Sequence, residues 1–462
     1  MTHGAAPAAA AGGDPELLIL DTHTRNDLQL FDADPDAPSL FKFCNRCRTD
    51  GGALALRRRM DAPWANAERI RATQAAIRFI LGHPPVSTHF PAATLINNVQ
   101  RYGREILPVI RQESPLEFPF AAFALWSQER RFYLRIGRGV VFTVRLLHAV
   151  HQFLEPLRDA DSAGDLTALL KEMARLLDED LMPAAQQAER GFWFWSTLRV
   201  DQAFRLRKRE ALERLLELLF EVDALIAMAA VSGEPGYSLP EISSGSLKIA
   251  AAGLRHPLLS AAVPNPLTLD QAQRVLFLTG PNMAGKTTYL RTAATALYFA
   301  HLGMGVPAAQ FTFVPAQQLL TAISLNDDLL DGISYFRAEA LRVKAVAEAI
   351  ANRKRTVAIM DEPFKGTNVK DAFDASLAIL ERFADTEQCL FLVSSHLIEL
   401  AASLEQTGKI SFRYFEANET GDRLSFDYRV HDGLSDQRLG MRVLIEEGIF
   451  ELLTPKTEPT GD

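Results

Sequence analysis

The sequence predicts a multidomain protein that is helical in its first half and α/β, with a mainly parallel sheet, in its second half. In the first half, apolar residues recur at intervals of three and four with charged residues between them, as in 67–81, 165–177 and 201–231. In the second half, short runs that are almost wholly apolar alternate with helical stretches. Such runs are typical of parallel strands that are covered by helices on both faces.

The length and the local composition suggest where the domains begin and end. A chain of 462 residues can form two or three domains, each with its own core. Residues 233–245 are rich in Gly, Pro and Ser, so they mark the expected junction. We expect a helical domain over 15–235, an α/β domain over 236–455, and tails at 1–14 and 456–462. The first tail is rich in Ala, Gly and Pro and is expected to be disordered.

Charge and cysteine content restrict the function classes. The formal net charge is -8, whereas dedicated nucleic-acid binders are usually basic, so any contact with DNA would depend on local basic patches. The cysteines, Cys44, Cys47 and Cys389, provide no disulfide framework, and the Cys44–Cys47 pair lacks the partners of a zinc site. No apolar run reaches the ~20 residues that span a bilayer. We expect a cytoplasmic protein that does not enter the membrane.

A glycine-containing loop follows the first apolar strand of the second half. Residues 274–279 form the expected strand, 280–287 fit the pattern GxxxxGK[ST], and 288–299 form the expected helix. Glycine lets backbone N–H groups turn towards phosphates, and the helix N-terminus adds a partial positive charge. Lys286 is expected to contact the β- and γ-phosphates of ATP, and the Thr287 hydroxyl to ligate Mg²⁺. The predicted nucleotide-binding residues of this segment are Gly280, Pro281, Asn282, Met283, Ala284, Gly285, Lys286, Thr287 and Thr288.

Two later strands end in polar residues. The apolar run 356–360 is followed by Asp361 and Glu362, at the strand end where open α/β sheets bind their ligands. We interpret Asp361 as a Mg²⁺ carboxylate, direct or through water, and Glu362 as the base that polarises the attacking water. The run 390–394 precedes His396. We interpret His396 as a γ-phosphate sensor, with a purely structural histidine as the alternative.

These motifs belong to a sequence that resembles the MutS family, the mismatch-repair branch of the ABC-type ATPases. Pro281-Asn282-Met283 inside the loop is more specific than the bare loop pattern. The other matching stretches are Arg255-His256-Pro257, Val306-Pro307-Ala308, Gly366-Thr367-Asn368, His396 with Glu399-Leu400, 433–436, 439–443 and 20–28. The resemblance extends over nearly the whole chain, and it is dense after Leu247 and thin over 84–231.

The resemblance implies an ABC-type P-loop domain preceded by MutS-like core and lever helices, with a clamp that is reduced or absent. It also implies a Mg²⁺-dependent ATPase that works as a dimer, most simply a homodimer, with composite sites. Ser334 would then donate to the γ-phosphate held by the opposing subunit, and a plain helix N-cap is compatible with the same serine. The stretch from Gly433 to Val443 resembles the family's dimerising helix-turn-helix.

The sequence departs from the family pattern at several points. Ala284 stands where the family usually has glycine, and Thr287 stands where it usually has serine, although threonine keeps the hydroxyl. Residues 363–365 differ from the usual segment after the acidic pair. By this resemblance we expect a truncated form, without a counterpart of the mismatch-recognition and connector domains before Leu17. Residues 153–155 match the letters of the mismatch-wedging Phe-x-Glu, but they lie within a helical pattern and are expected in the core.

Two hypotheses follow for what the ATPase acts on. In the first, ATP binding closes the dimer and hydrolysis drives lever motion on DNA, in mismatch repair or a related DNA transaction. Residues 129–138, where basic and aromatic side chains interleave, are the candidate contact, with a solvated charged face as the alternative. The basic residues of 57–59 and 205–209 are expected to be ion-paired surface. In the second hypothesis, the chain is a nucleotide-switched protein-interaction module that does not bind DNA.

Overall fold

The structure is a computed structural model, and it describes residues 15–31, 37–114, 116–157, 163–189, 194–324, 335–420 and 423–434. By internal contacts the chain divides into two units. The first, here called the α/β unit, comprises 1–42, 63–67 and 235–462. The second, here called the helical unit, comprises 43–62 and 68–234.

The helices and strands have the following bounds within the described residues. The strands are β1 (Ile19–Leu20), β2 (Glu241–Ile242), β3 (Ile249–Leu254), β4 (Asn265–Leu269), β5 (Val275–Thr279), β6 (Gln310–Phe313), β7 (Gln318–Ala322), β8 (Thr356–Asp361), β9 (Cys389–Ser394), β10 (Ile410–Thr420) and β11 (Arg423–Asp432). The helices are α1 (Thr22–Asp27), α2 (Leu40–Cys44), α3 (Asp50–Asp61), α4 (Ala67–Gly82), α5 (Pro84–Thr88), α6 (Ala93–Arg104), α7 (Glu117–Gln128), α8 (Arg130–Leu154), α9 (Asp165–Arg175), α10 (Met182–Glu189), α11 (Phe194–Gln202), α12 (Arg209–Ser232), α13 (Lys286–His301), α14 (Tyr335–Ala351), α15 (Val369–Asp385) and α16 (Glu399–Leu404).

The main sheet of the α/β unit has seven strands in the order β1-β7-β8-β9-β5-β10-β11. All neighbouring pairs are parallel except the antiparallel pair of β10 and β11 at one edge. The predicted α/β class with a mainly parallel sheet is therefore confirmed. Strands β5 and β9 are buried along their whole length, which explains why their sequences are continuously apolar rather than alternating. A second, mostly antiparallel sheet of order β2-β6-β3-β4 was not expected from the sequence.

The start of the described chain belongs to the α/β unit, and the predicted helical domain over 15–235 is wrong for this segment. Strand β1 pairs in parallel with β7 at the sheet edge. The Asp27 carboxylate, 3% exposed, accepts hydrogen bonds from the Thr321 hydroxyl at 2.6 Å and from the Ile323 and Ser324 N–H groups at 2.9 Å. These contacts join residues almost 300 positions apart, so helical periodicity alone did not reveal them.

The helical unit is organised around α3 and α12, which pack against each other. Thr49 caps α3 by accepting from the Gly52 N–H at 2.9 Å. Asp223 on α12 is fully buried and accepts from the Thr49 N–H at 2.9 Å and the Thr49 hydroxyl at 2.7 Å. A buried carboxylate with several donors is stable because these bonds replace the water that it loses. Asp223 therefore fixes the start of α3 against α12.

The long helix predicted over 201–231 is interrupted in the structure. Residues Ala203–Arg207 form a π-helical segment, and α12 begins only at Arg209. At this interruption Arg205 donates to both Asp201 carboxylate oxygens at 2.6 Å and to the Leu107 carbonyl at 3.0 Å. These hydrogen bonds of Arg205 connect the π-helical segment to the residues before α7, and they stabilise the interruption of the helix.

Several basic residues of 57–59 and 205–209 form ion pairs, as the sequence predicted. Arg58 and Arg59 donate to Glu221 at 3.0 and 2.9 Å. Arg209 pairs with Glu213 at 2.8 Å. In the segment 129–138, which α8 includes from Arg130 onward, Arg135 pairs with Glu105 at 2.6 Å.

Three further expectations concern the core, metals and membranes. Phe153 is completely buried, so the phenylalanine of the Phe-x-Glu letters lies in the core as predicted, whereas Glu155 is exposed. Burial raises the pKa of the Cys44 and Cys47 thiols to about 12, so both stay protonated. Within the described ranges, no cluster of three or more His, Cys, Asp or Glu side chains could hold a metal ion. In the same ranges, every helix is too short or too polar to cross a membrane.

Candidate nucleotide site

The loop between β5 and α13 needs glycine at both of its ends. Gly280 has φ +132° and Gly285 has φ +106°, which are backbone conformations that side-chain-bearing residues rarely adopt. A Cβ atom on Gly280 would lie 2.7 Å from the carbonyl oxygen of Phe415 on β10. The loop therefore passes directly against the backbone of the neighbouring strand, and only glycine fits there.

Helix α13 begins at this loop without a side-chain cap. Its N-cap residue is Gly285, so no side-chain oxygen accepts the N–H groups of the first turn. Uncapped N–H groups and the helix dipole favour a bound anion at this end of the helix. Lys286 and Thr287 occupy the first turn, which places their side chains at the same position.

Lys286 lies over the loop rather than in solvent. Its side chain is 5% exposed, and its ammonium donates to the Gly280 carbonyl at 2.8 Å and the Pro281 carbonyl at 3.2 Å. The ammonium also lies 3.6 Å from the Glu362 carboxylate. The lysine charge is thus held at the mouth of the loop by groups that a triphosphate could exchange for its own oxygens.

The acidic pair meets the loop at the end of β8. The Thr287 hydroxyl donates to Asp361 Oδ2 at 2.5 Å, although the two residues are 74 positions apart. The other carboxylate oxygen, Oδ1, accepts from the Ser394 hydroxyl at the end of β9. A hydroxyl and a carboxylate oxygen side by side are the hard oxygen donors that Mg²⁺ prefers, with phosphates and water completing its six ligands. These residues therefore fit the predicted Mg²⁺ ion.

Glu362 is held in an unusual backbone conformation. Its φ is +49°, in the left-handed region that is costly for a residue with a side chain. Its N–H donates to the Ser394 carbonyl at 3.1 Å and the Ser394 hydroxyl at 3.0 Å. Its carboxylate lies 3.8 Å from Nδ1 of His396, whose side chain is 57% exposed. The structure thus brings Lys286, Glu362 and His396 close to one another at neighbouring strand ends.

A cavity of about 620 Å³ extends from the loop towards β4 and the hairpin of β10 and β11. Asp361, Glu362, the loop and residues 259–263 all line this cavity. A volume of this size is within the usual range for a cofactor-sized ligand. The walls away from the loop carry apolar side chains such as Leu259 and Val263, together with the ring of Tyr428.

Tyr428 is a lining residue that sequence reasoning missed. It has φ +55° and is 47% exposed, and its ring passes close to Gly285. The Asn265 amide holds the backbone around it by donating to the Tyr428 carbonyl at 2.9 Å and accepting from the Val430 N–H at 2.8 Å. Strained residues that the surroundings hold in place are concentrated at ligand sites. No local pattern distinguishes this tyrosine from other strand aromatics.

His256 also lines the cavity, and it is neutral. Burial and the nearby Arg291 guanidinium lower the pKa of His256 to about 4. Its Nδ1 accepts from the Leu258 N–H at 3.3 Å. A neutral ring adds no charge to the wall, so this part of the cavity suits an uncharged portion of a ligand.

Glu339 on α14 is a second residue that the sequence did not single out. Its carboxylate, 2% exposed, accepts from the N–H groups of Lys365 and Gly366, each at 3.2 Å. Burial raises its pKa, and the backbone hydrogen bonds oppose that rise. Phe364, between this pair and Glu362, has φ +67°. Glu339 therefore stabilises the loop that follows the acidic pair and carries Lys365 to the cavity wall.

A second recess opens on the other side of Glu362. It has a volume of about 880 Å³ and is lined by Gly280–Asn282, Glu362, Val369 and His396, among other residues. Ser334, predicted to act across a dimer, lies outside the described residues, as does the predicted helix-turn-helix after 434.

The comparison with protein families agrees with this geometry. Residues 276–453 match the family model of MutS domain V, a span that contains the loop, the acidic pair and His396. Domain V is the ATPase domain of that family. Residues 276–453 are thus similar to domain V of the MutS family.

Proposed function

We propose that this protein is a Mg²⁺-dependent ATPase that hydrolyses ATP at the loop of 280–287. The observation that carries the proposal is the convergence of Lys286, Thr287, Asp361 and Glu362, with Thr287 and Asp361 only 2.5 Å apart. A positive charge, a metal-binding oxygen pair and a second carboxylate are the groups that phosphoryl transfer to water needs. Here they meet at an uncapped helix N-terminus.

Each residue of the site has its own role in ATP hydrolysis, which follows from its position. The loop N–H groups and Lys286 bind the β- and γ-phosphates and balance the charge that spreads over the γ-phosphate oxygens as the bond breaks. Glu362 orients the attacking water and accepts its proton. His396 lies 3.8 Å from the Glu362 carboxylate and contacts the γ-phosphate beside it. Lys286 exchanges its contacts with the Gly280 and Pro281 carbonyls for phosphate oxygens when ATP binds.

Thr287 and Asp361 hold the Mg²⁺ ion in this proposal. A bound Mg²⁺ neutralises phosphate charge and orients the triphosphate for displacement. The nucleoside end of ATP lies in the 620 Å³ cavity, where the Tyr428 ring and the neutral His256 form the wall. Stacking on an exposed ring is typical of base recognition.

The active form is a homodimer in this proposal, with Ser334 of each copy completing the site of the other. The 880 Å³ recess beside His396 supports it, because the γ-phosphate side of the site is open there. ATP binding closes this dimer, and hydrolysis reopens it and moves the helical unit on DNA. Sedimentation of the turnover-deficient Glu362→Gln variant tests this part of the proposal. We expect dimers in the sample with ATP and monomers in the samples with ADP or without nucleotide.

The decisive test is the Glu362→Gln variant in a steady-state phosphate-release assay. The variant keeps the shape of the side chain but cannot accept a proton, so we expect ATP binding to persist while turnover falls roughly 100-fold or more. His151→Gln, which changes a partly exposed histidine on α8, is the control and is expected to turn over ATP normally. Unchanged turnover in Glu362→Gln would remove Glu362 from this role.

The action on DNA is tested by turnover and binding across salt concentrations. The similarity to MutS domain V supports DNA as the partner, and we expect DNA duplexes or branched forms to stimulate turnover. Contacts with phosphates would make binding weaken steeply as salt rises. Absence of binding even at low salt would refute this part of the proposal.

A protein partner is the second candidate, because the helical unit exposes aromatic side chains. On α7, Phe120 is 78% exposed and Phe123 is 54% exposed, and the Phe123 ring lies 5.8 Å from that of Trp126. Large exposed apolar patches are typical of interaction surfaces. The double variant Phe120→Ser/Phe123→Ser separates the two candidates. Loss of an ATP-dependent co-purifying protein without loss of DNA-stimulated turnover would favour this alternative.

A further inference from the structure

Ser394 contacts both residues of the acidic pair with one side chain. It is the last residue of β9, it is completely buried, and it pairs in register with Asp361 on β8. Its hydroxyl donates to Asp361 Oδ1 and accepts from the Glu362 N–H at 3.0 Å. The hydroxyl therefore uses its proton on one acidic residue and a lone pair on the other.

The first contact orients the Asp361 carboxylate. Its Oδ2 accepts from Thr287 at 2.5 Å, and its Oδ1 is occupied by Ser394. With a partner on each oxygen, the carboxylate plane cannot rotate about the Cβ–Cγ bond. Partners of this kind, one shell behind a metal ligand, fix the ligand's orientation and tune its binding.

The second contact stabilises the Glu362 backbone. The left-handed conformation at φ +49° is energetically costly for a residue with a side chain. The Glu362 N–H is held by both the carbonyl and the hydroxyl of Ser394, at 3.1 and 3.0 Å. This conformation keeps the carboxylate within 3.6 Å of Lys286 and 3.8 Å of His396. The hydroxyl therefore helps to maintain the position from which Glu362 acts.

We propose that Ser394 is a positioning residue that couples the Mg²⁺ carboxylate, Asp361, to the catalytic base, Glu362. This inference rests on the proposed ATPase function. Removing the hydroxyl leaves Asp361 Oδ1 without its buried donor and frees one bond of the Glu362 N–H. Both Mg²⁺ binding and turnover then weaken together, while contacts between the loop and the phosphates stay in place.

The neighbouring serine provides a matched control. Ser395 is also buried, at 6% exposed, but its hydroxyl accepts from the Leu397 N–H at 3.1 Å. Its backbone N–H donates to the Leu278 carbonyl at 3.0 Å. Ser395→Ala therefore removes a buried hydroxyl one position away, on the same strand end, that serves a different part of the fold.

The experiment compares Ser394→Ala, Ser395→Ala and the wild type in two measurements. The first is the dissociation constant of a fluorescent, non-hydrolysable ATP analogue with EDTA and with Mg²⁺. The second is turnover as a function of Mg²⁺ concentration. In Ser394→Ala we expect the tightening by Mg²⁺ to fall about tenfold and turnover to fall about 10- to 100-fold, with affinity in EDTA unchanged. Ser395→Ala should behave as the wild type in both.

The outcomes separate this inference from the proposed function. If the wild type neither binds the analogue nor hydrolyses ATP, the proposed function itself fails. If the wild type is active and Ser394→Ala matches Ser395→Ala in both measurements, only the positioning role is refuted. Should Ser394→Ala not fold, Ser394→Thr keeps the hydroxyl on a β-branched residue suited to a strand. A folded Ser394→Thr that binds the analogue in EDTA but lacks the response to Mg²⁺ also overturns the inference.

Discussion

His301 is the last residue of α13, and it makes the stability of the α/β unit depend on pH. The ring is completely buried, and its Nδ1 lies 2.6 Å from the Trp64 carbonyl oxygen. Its Nε2 accepts from the Ala316 N–H at 3.3 Å. The neutral ring with a proton on Nδ1 satisfies both contacts. Protonation of Nε2 would instead place its N–H opposite the Ala316 N–H, so that two buried donors would face each other without an acceptor.

The size of the effect follows from the shift of the His301 pKa. Burial and the Arg355 charge lower this pKa to about 4, against the hydrogen bond to Trp64, which raises it. Above pH 6.5 the ring is neutral in both the folded and the unfolded chain, so the shift contributes nothing. As pH falls below 6.5, the unfolded chain binds a proton that the folded chain does not. The free energy of unfolding should drop by about 2 kcal/mol at pH 5 and about 3 kcal/mol at pH 4.

The assay is urea unfolding at several pH values between 7 and 4. Unfolding is monitored by deuterium pulse labelling of peptides from α13. These peptides report the unfolding of the unit that contains His301. His301→Gln lowers the stability at pH 7 but cannot titrate, so its deficit relative to the wild type should shrink by about 3 kcal/mol towards pH 4. His89→Gln, at an exposed position, is the control. An equal deficit of His301→Gln at every pH would refute the reasoning.

Three further predictions concern the nucleotide site. Gly280→Ala should abolish ATP binding and lower the unfolding free energy by more than about 2 kcal/mol, because its Cβ meets the neighbouring strand; Gly408→Ala, with φ +64° and open space, should lose only about 1 kcal/mol. Tyr428→Ala should weaken ATP binding in calorimetry by about 1–3 kcal/mol without affecting inorganic triphosphate, and Tyr428→Phe should bind ATP normally. Glu339→Gln leaves one backbone N–H without an acceptor; a thermal melt should show a loss of about 1–3 kcal/mol, and an unchanged midpoint would contradict the role of Glu339.

The chemistry-bearing residues of the site could be identified from sequence because each lies in a short local pattern. Lys286 and Thr287 follow from the spacing of the loop, and Asp361 and Glu362 follow from two acids directly after an apolar run. Their roles stay predictions until the variants are assayed. The strands themselves were also predictable, because burial on both faces requires continuous apolar sequence.

The residues that support the site could not be identified in this way. Ser394, Glu339 and Asn265 have no distinguishing local pattern, and their partners lie 26 to 165 positions away. The same limit explains the misplaced first segment. Residues 15–31 were included in the predicted helical domain, yet β1 and Asp27 belong to the α/β unit through contacts with β7 and the residues after it.

By itself, the sequence determined which local elements form: buried strands, a loop with glycine at both ends, and acids at a strand end. Those outcomes depend on backbone freedom and on apolar periodicity, which neighbouring residues specify. Only the tertiary structure decided which strand ends meet, because the order and register of a parallel sheet are set by pairing over long distances. That register places Thr287 beside Asp361 and puts Ser394 behind both acids, where a single buried hydroxyl reaches the whole pair.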